Sequence, residues 1–177
     1  GGAGTQTAGL AFGGNSDPPI TNATEEYNGT AWTGGGGLNT ARQSMAGFGI
    51  QTAALSSAGS SSTGQVALVE EYNGTAWTEV NNVTTVRNGL AGGGIQTAGL
   101  IFGGLTPAPA VTGATESYDG TNWTTTSSMG TARRILAGAV SAPNTAGLGF
   151  GGYAPGATAA TEEFTGGTII QTLTTST

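Results

Sequence analysis

The chain has 177 residues, 34 of them glycine, with no cysteine and no histidine. Its net charge of −6 rests on ten carboxylates against four arginines, Arg42, Arg87, Arg133 and Arg134. This composition excludes Ser-His and Cys-His nucleophiles and thiolate or imidazole metal sites, and it argues against nucleic-acid backbones, whose binding rests on clustered positive charge.

In chain order the sequence breaks into short segments separated by turn signals, shown most clearly in its third quarter. Leu90 to Ile95 is a first strand built of small residues, and Thr97 to Phe102 a second that ends at a glycine pair. Thr115 to Tyr118 is a third and Trp123 to Thr126 a fourth. Each has strand length, and none is periodic enough for a helix.

The same order recurs along the whole chain. Tyr27, Tyr72, Tyr118 and Phe164 stand 45, 46 and 46 residues apart, Trp32, Trp77 and Trp123 follow each tyrosine by five, and Ile169 takes that place in the last copy. Arg42, Arg87 and Arg133 keep the period. So do the pairs Gly13-Gly14, Gly103-Gly104 and Gly151-Gly152, with Ala58-Gly59 in the second copy. A fixed period of this length marks a repeat architecture. One domain of four units is expected, approximately 1–44, 45–87, 88–134 and 135–177.

Between the third and fourth segments, Asn28-Gly29, Asn73-Gly74 and Asp119-Gly120 are expected to form tight hairpins through their positive φ. The connections after the glycine pairs are Pro-rich and variable. Asp17, Pro18, Pro19, Pro107, Pro109 and Pro155 are therefore candidate binding-loop residues on exposed loops. Gly34 to Gly37 lacks the lysine and helix of a phosphate loop and is read as a flexible connection.

A four-stranded sheet cannot bury both faces alone. The repeated tyrosines and tryptophans are therefore read as filling the space between neighbouring sheets, with a sugar-stacking platform as the sharper alternative. The glycine-rich first strands point to close backbone approach where strands converge.

The pairs Glu25-Glu26, Glu70-Glu71 and Glu162-Glu163, with Glu116 beside Ser117 in the third copy, are the carboxylate clusters. Neighbours in a strand point to opposite faces, so such a pair cannot serve one substrate as acid and base. A structural role is expected, with Glu25, Glu70 and Glu116 meeting Arg42, Arg87 and Arg133. Calcium is compatible with the donor types, but no Asp-rich calcium loop is present.

A small-residue strand, a strand ending in Gly-Gly, then Glu-Xaa-Tyr, a turn, Trp and a distal Arg resembles the kelch repeat of β-propellers. The resemblance spans essentially the whole chain. It is carried by Gly13, Gly14, Tyr27, Trp32 and Arg42, by Tyr72, Trp77 and Arg87, by Gly103, Gly104, Tyr118, Trp123 and Arg133, and by Gly151, Gly152 and Phe164. It implies an all-β, kelch-like β-propeller of four-stranded blades, possible as a small four-bladed ring, as part of a ring shared with another copy, or as a piece of a longer array. Runs such as Thr-Glu-Glu-Tyr-Asn-Gly-Thr-Ala-Trp-Thr are also similar to Gly/Ala/Thr-rich kelch-like proteins of marine and cyanobacterial phages. That likeness implies a non-catalytic virion component: a tail fibre, decoration or adsorption protein.

The expected partners are other virion or assembly proteins, further copies of the chain, and a host-surface glycan. Nucleic acid, membrane insertion and a cofactor are not expected, and the location is the virion or the extracellular space. An extracellular adhesin or glycan-binding propeller is the alternative. A copper enzyme on the same scaffold is disfavoured for want of histidine ligands. The chain opens on Gly1 rather than Met, as a processed N-terminus or a part of something longer would.

Overall fold

The computed structural model describes residues 1–16, 19–140, 144–166 and 171–173, the last three by their backbone alone. Among the described residues there is no helix, and four antiparallel four-stranded sheets follow one another along the chain.

Sheet 1 comprises β1 (Gly2–Thr5), β2 (Ala8–Asn15), β3 (Ile20–Tyr27) and β4 (Trp32–Gly35). Sheet 2 comprises β5 (Ala46–Ile50), β6 (Ala53–Ser57), β9 (Val69–Tyr72) and β10 (Trp77–Val80); between β6 and β9 lies a small hairpin of β7 (Ser60–Ser61) and β8 (Gly64–Gln65). Sheet 3 comprises β11 (Ala91–Ile95), β12 (Ala98–Phe102), β13 (Thr115–Tyr118) and β14 (Trp123–Thr126). Sheet 4 comprises β15 (Ala137–Val140), β16 (Ala146–Phe150), β17 (Thr161–Thr165) and β18 (Gln171–Leu173). Every sheet is a meander in which each strand pairs with the next, and the four segments expected in the third quarter correspond to β11 to β14.

The first strands line up in succession, β1 against β5, β5 against β11, and β11 against β15. Their small residues make that approach possible. A Cβ on Gly47 would lie 2.5 Å from the Phe12 ring and 2.9 Å from the Gly2 backbone, and one on Gly138 would lie 2.6 Å from the Phe102 ring. Each contact is closer than carbon atoms tolerate, so the convergence of these strands selects glycine.

Among the described residues, apolar side chains are buried in three clusters, one at each junction between consecutive sheets. Leu10, Phe12, Ala54, Tyr72 and Trp77 fill the first; Phe48, Leu55, Ile101, Tyr118 and Trp123 the second; Leu100, Phe102, Met129 and Phe164 the third. Each strand turns alternate side chains to opposite faces, so a sheet in the middle of the array feeds the cluster on either side. Among the described residues, no such partner covers the faces of sheets 1 and 4 that look away from the array. Trp32, Leu148 and Phe150 are exposed there.

Hairpin chemistry differs from expectation at one place. Tyr27 pairs with Trp32, Tyr72 with Trp77 and Tyr118 with Trp123, so the connecting loops have four residues and not two. Only the glycine of each dipeptide has positive φ, at +91°, +89° and +92°. The preceding Asn or Asp uses its side chain instead: Asn28 Oδ1 accepts the amides of Thr30 and Ala31, and Asn73 and Asp119 repeat the pattern. These are Asx turns, in which a short acceptor on the side chain closes the loop.

Candidate functional site

The chemistry-bearing residues gather at the junctions, where one segment does most of the joining. The Leu38 amide donates to the Asn22 carbonyl, and the Arg42 carbonyl accepts from the Gly14 amide at 2.7 Å, so the link after β4 is fastened to sheet 1. Its other groups reach across to sheet 2. The Asn39 and Thr40 amides donate to the Glu70 carboxylate, and the Arg42 guanidinium donates to Glu70 Oε1 at 2.9 Å, to Ser56 Oγ, and to the Ala58 and Leu68 carbonyls.

The arrangement repeats at the next two junctions. Arg87 meets Glu116 and the Gly103 and Ala114 carbonyls, with the Thr84 and Thr85 amides on the same carboxylate. Arg133 meets Glu162 and the Gly151 and Ala160 carbonyls, with the Gly130 and Thr131 amides. All three arginines and their glutamates are buried, the arginines completely. Burial pulls the Arg42 and Arg87 guanidiniums below their ordinary range, and the facing carboxylates pull the other way. A buried ion pair of this kind requires its remaining donors and acceptors to be satisfied. Here backbone carbonyls and amides supply most of them, while the Nε of each of the three arginines is buried without a hydrogen-bond partner.

The ion pairs correct the expected pairing by one sheet. Arg42 meets Glu70 rather than Glu25, Arg87 meets Glu116 and Arg133 meets Glu162, because the arginine lies on the link into the next sheet and its long side chain reaches forward. Glu25 is exposed and faces no arginine among the described residues.

The second glutamate of each pair points to the opposite face, as strand alternation requires. In the first two pairs it receives the tyrosine hydroxyl of the following sheet: Tyr72 donates to Glu26 at 2.5 Å and Tyr118 to Glu71 at 2.9 Å. In the next sheet Phe164 has no hydroxyl, and Ser117 stands where the glutamate would be. Both members of the pair change together. The turn residue Gln51 donates to the Gly9 and Tyr27 carbonyls of the preceding sheet, Gln96 to those of Ala54 and Tyr72, and Asn144 to those of Gly99 and Tyr118.

The aromatic pairs sit where expected except at one end. Tyr27–Trp32, Tyr72–Trp77 and Tyr118–Trp123 have ring centroids 5.1, 5.0 and 4.8 Å apart. Trp77 and Trp123 are 5% and 7% exposed against 50% for Trp32. The reading of Trp32 as core is therefore corrected: each tryptophan packs on the sheet before its own, as Trp77 does on Phe12 and Thr24, and the described residues place no sheet before the first.

The glycine pairs have φ of +57° and +119° at Gly13 and Gly14, and near those values at Gly103-Gly104 and Gly151-Gly152. Ala58 adopts φ +57° in the same place, so the backbone form survives the substitution. Gly34 and Gly35 lie in β4, and a Cβ on Gly36 would come 2.2 Å from the Thr75 carbonyl oxygen. Gly35 and Gly36 thus lie against Tyr72 and Thr75 of sheet 2 and Gly37 against Asn22 of sheet 1, which corrects the reading of a flexible connection. Pro19, Pro107, Pro109 and Pro155 are exposed in the connections after the glycine pairs, at the sheet ends that also carry the arginine links. Asp17, Pro18 and Ile169 lie outside the described residues.

The forward reach of arginine, the tyrosine-to-glutamate bond and the glutamine clamp were not expected from the sequence. Their signal was the fixed spacing of Gln, Glu-Glu, Tyr and Arg, which shows that residues act together without showing across which junction. Among the described residues, no group of three or more Asp or Glu side chains converges as a metal site would require. Comparison with protein-family models gives no match, and neither does comparison with curated proteins.

Proposed function

We propose that the chain is a kelch-like β-propeller array whose four sheets act as blades, and that it serves as a non-catalytic structural and binding component of a phage virion. In this role a tail fibre, decoration or adsorption protein presents the loops around Pro19, Pro107, Pro109 and Pro155 to other virion proteins or to a host-surface glycan. The observation that carries the non-catalytic reading is the use of the buried ionisable groups. Glu70, Glu116 and Glu162 are each buried and held by an arginine and two backbone amides, so these carboxylates are engaged in joining one sheet to the next. A rigid frame with variable exposed loops is a common vehicle for recognition.

A glycan array probed with the whole chain tests the recognition half. Binding to a host-surface glycan that disappears when residues 106–110 are replaced by Gly and Ser supports the reading. Binding that survives replacement of all the Pro-bearing loops rejects the loop assignment. Immunogold labelling of phage particles tests the location, and labelling of bacterial cell surfaces alone turns the reading into that of an adhesin.

A further inference from the structure

Sheets 2, 3 and 4 each receive an arginine-bearing segment of the same kind: Thr40-Ala41-Arg42, Thr85-Val86-Arg87 and Thr131-Ala132-Arg133. In each case the receptor is a glutamate, the carbonyl two residues before it, and the carbonyl of the first residue of the glycine pair. Sheet 1 carries that set as Glu25, Ala23 and Gly13. We propose that Glu25, with the Gly13 and Ala23 carbonyls, is a docking site for a Thr-Xaa-Arg segment of a partner polypeptide.

The receptor is already in the geometry of its filled counterparts. The Ala23 amide donates to Thr21 Oγ1 at 3.0 Å, as Ala114 does to Thr112 and Ala160 to Thr158 at 3.1 Å. Phe12 stands opposite Thr24 as Phe102 stands opposite Thr115 and Phe150 opposite Thr161. On the same face Trp32 keeps its stacking on Tyr27 although half of it is exposed. Gln6 is exposed as well, whereas its counterparts Gln51, Gln96 and Asn144 each clamp two carbonyls of the preceding sheet.

Charge decides the occupant. Covering this face with apolar groups alone would bury the Glu25 carboxylate without a cation, which is strongly unfavourable, whereas a guanidinium with two free amides beside it reproduces the bonding seen three times over. A second copy of the chain does not meet that requirement, because Arg42, Arg87 and Arg133 are each fully buried on their own carboxylates, and Arg134, half-buried over the Tyr153 ring, follows Ala132-Arg133 and so does not end a Thr-Xaa-Arg segment. The occupant is therefore a partner that presents a free Thr-Xaa-Arg segment. The inference stands on the internal repetition and does not depend on the assembly role.

The test is titration of the 15N-labelled whole chain with a capped peptide copying residues 38–45, Leu-Asn-Thr-Ala-Arg-Gln-Ser-Met, up to about 5 mM, a range that captures a dissociation constant near about 1 mM. Saturable shifts at the Gly13, Ala23 and Glu25 amides are expected. They should weaken at least about tenfold when the peptide arginine becomes glutamine and again in the Glu25→Gln chain, since both remove the charge-assisted bond. Glu25 is exposed, so that variant folds. Absence of saturable shifts, or shifts indifferent to both replacements, overturns the proposal. Concentration-dependent shifts at those amides in the chain alone overturn it too, by showing that a second copy covers the face.

Discussion

The Arg42 guanidinium lies 2.9 Å from the Glu70 carboxylate with neither side chain exposed to solvent, although Arg42 is fastened by its carbonyl to sheet 1 and Glu70 belongs to sheet 2. One residue thus joins two sheets by two different kinds of bond. Removing one partner of such a pair leaves the other charge buried and unpaired, at about 3–5 kcal/mol. Arg42→Ala is expected to lower stability by that amount in urea denaturation. Glu70 also holds two amides, so Arg42→Ala combined with Glu70→Ala should cost less than the two single changes added together. Strict additivity would show that the pair contributes nothing across the junction.

The Tyr72 hydroxyl gives a pH dependence with a definite sign. Burial, and then the hydrogen bond and negative charge of Glu26, push it from 10.0 up to about 12. The folded value is higher than the unfolded one, so the stability that Tyr72 contributes is complete below pH 10 and is lost as pH rises through about 12. Tyr118 is shifted in the same direction by burial and Glu71. Thermal midpoints should fall across this alkaline window, and Tyr72→Phe should flatten part of the decline. An unchanged slope in Tyr72→Phe would remove Tyr72 from the account.

How much of this was legible in sequence depends on the range of the interaction. The strands, the meander order and the small-residue first strands follow from local pattern, because strand alternation and turn residues act over a few positions. The partner of Arg42 did not follow, since equal spacing fits a glutamate in the preceding or the following sheet alike. The exposure of Trp32 is hidden for the same reason: its sequence surroundings match those of Trp77, and the difference is that the described residues place a sheet before that of Trp77 and none before that of Trp32. Truncation separates them experimentally. Trp77→Ala should cost about 3–5 kcal/mol as a buried large-to-small change. Trp32→Ala should cost well under that and abolish most of the acrylamide-quenchable fluorescence. Equal costs would place Trp32 in a packed junction.

Ile135 occupies a backbone form that its side chain opposes. Ser44, Gly89 and Ile135 follow their junction arginines by two residues and have φ of +55°, +60° and +53°. The Gly89 amide donates to the Ser44 carbonyl and the Ile135 amide to that of Gly89, which fixes the conformation through bonds between successive links. For an L-residue this region costs about 1–2 kcal/mol, and Ile135 recovers little by burial because it is 70% exposed. Ile135→Gly is therefore expected to raise stability by about 1 kcal/mol, while Gly89→Val lowers it. A destabilised Ile135→Gly chain would show that the isoleucine has contacts that outweigh the backbone strain.

Trp123 differs from Trp77 at a single atom's partner. Trp77 Nε1 donates to Thr24 Oγ1 at 2.9 Å across the first junction, whereas Trp123 Nε1 is buried without an acceptor. The cause is the residue at the matching position of sheet 2, which is Val69 instead of threonine. Threonine and valine have nearly the same shape, so the exchange alters polarity while leaving packing almost intact. Val69→Thr is expected to stabilise the chain by about 1 kcal/mol, because the new hydroxyl is buried opposite a donor that lacks a partner. Thr24→Val should destabilise by about 1–2 kcal/mol by creating the same orphan at the first junction. The indole N–H resonance of Trp123 should move downfield toward that of Trp77 in Val69→Thr. A stability loss without that movement would mean the hydroxyl does not reach the indole and the two junctions are not equivalent in depth.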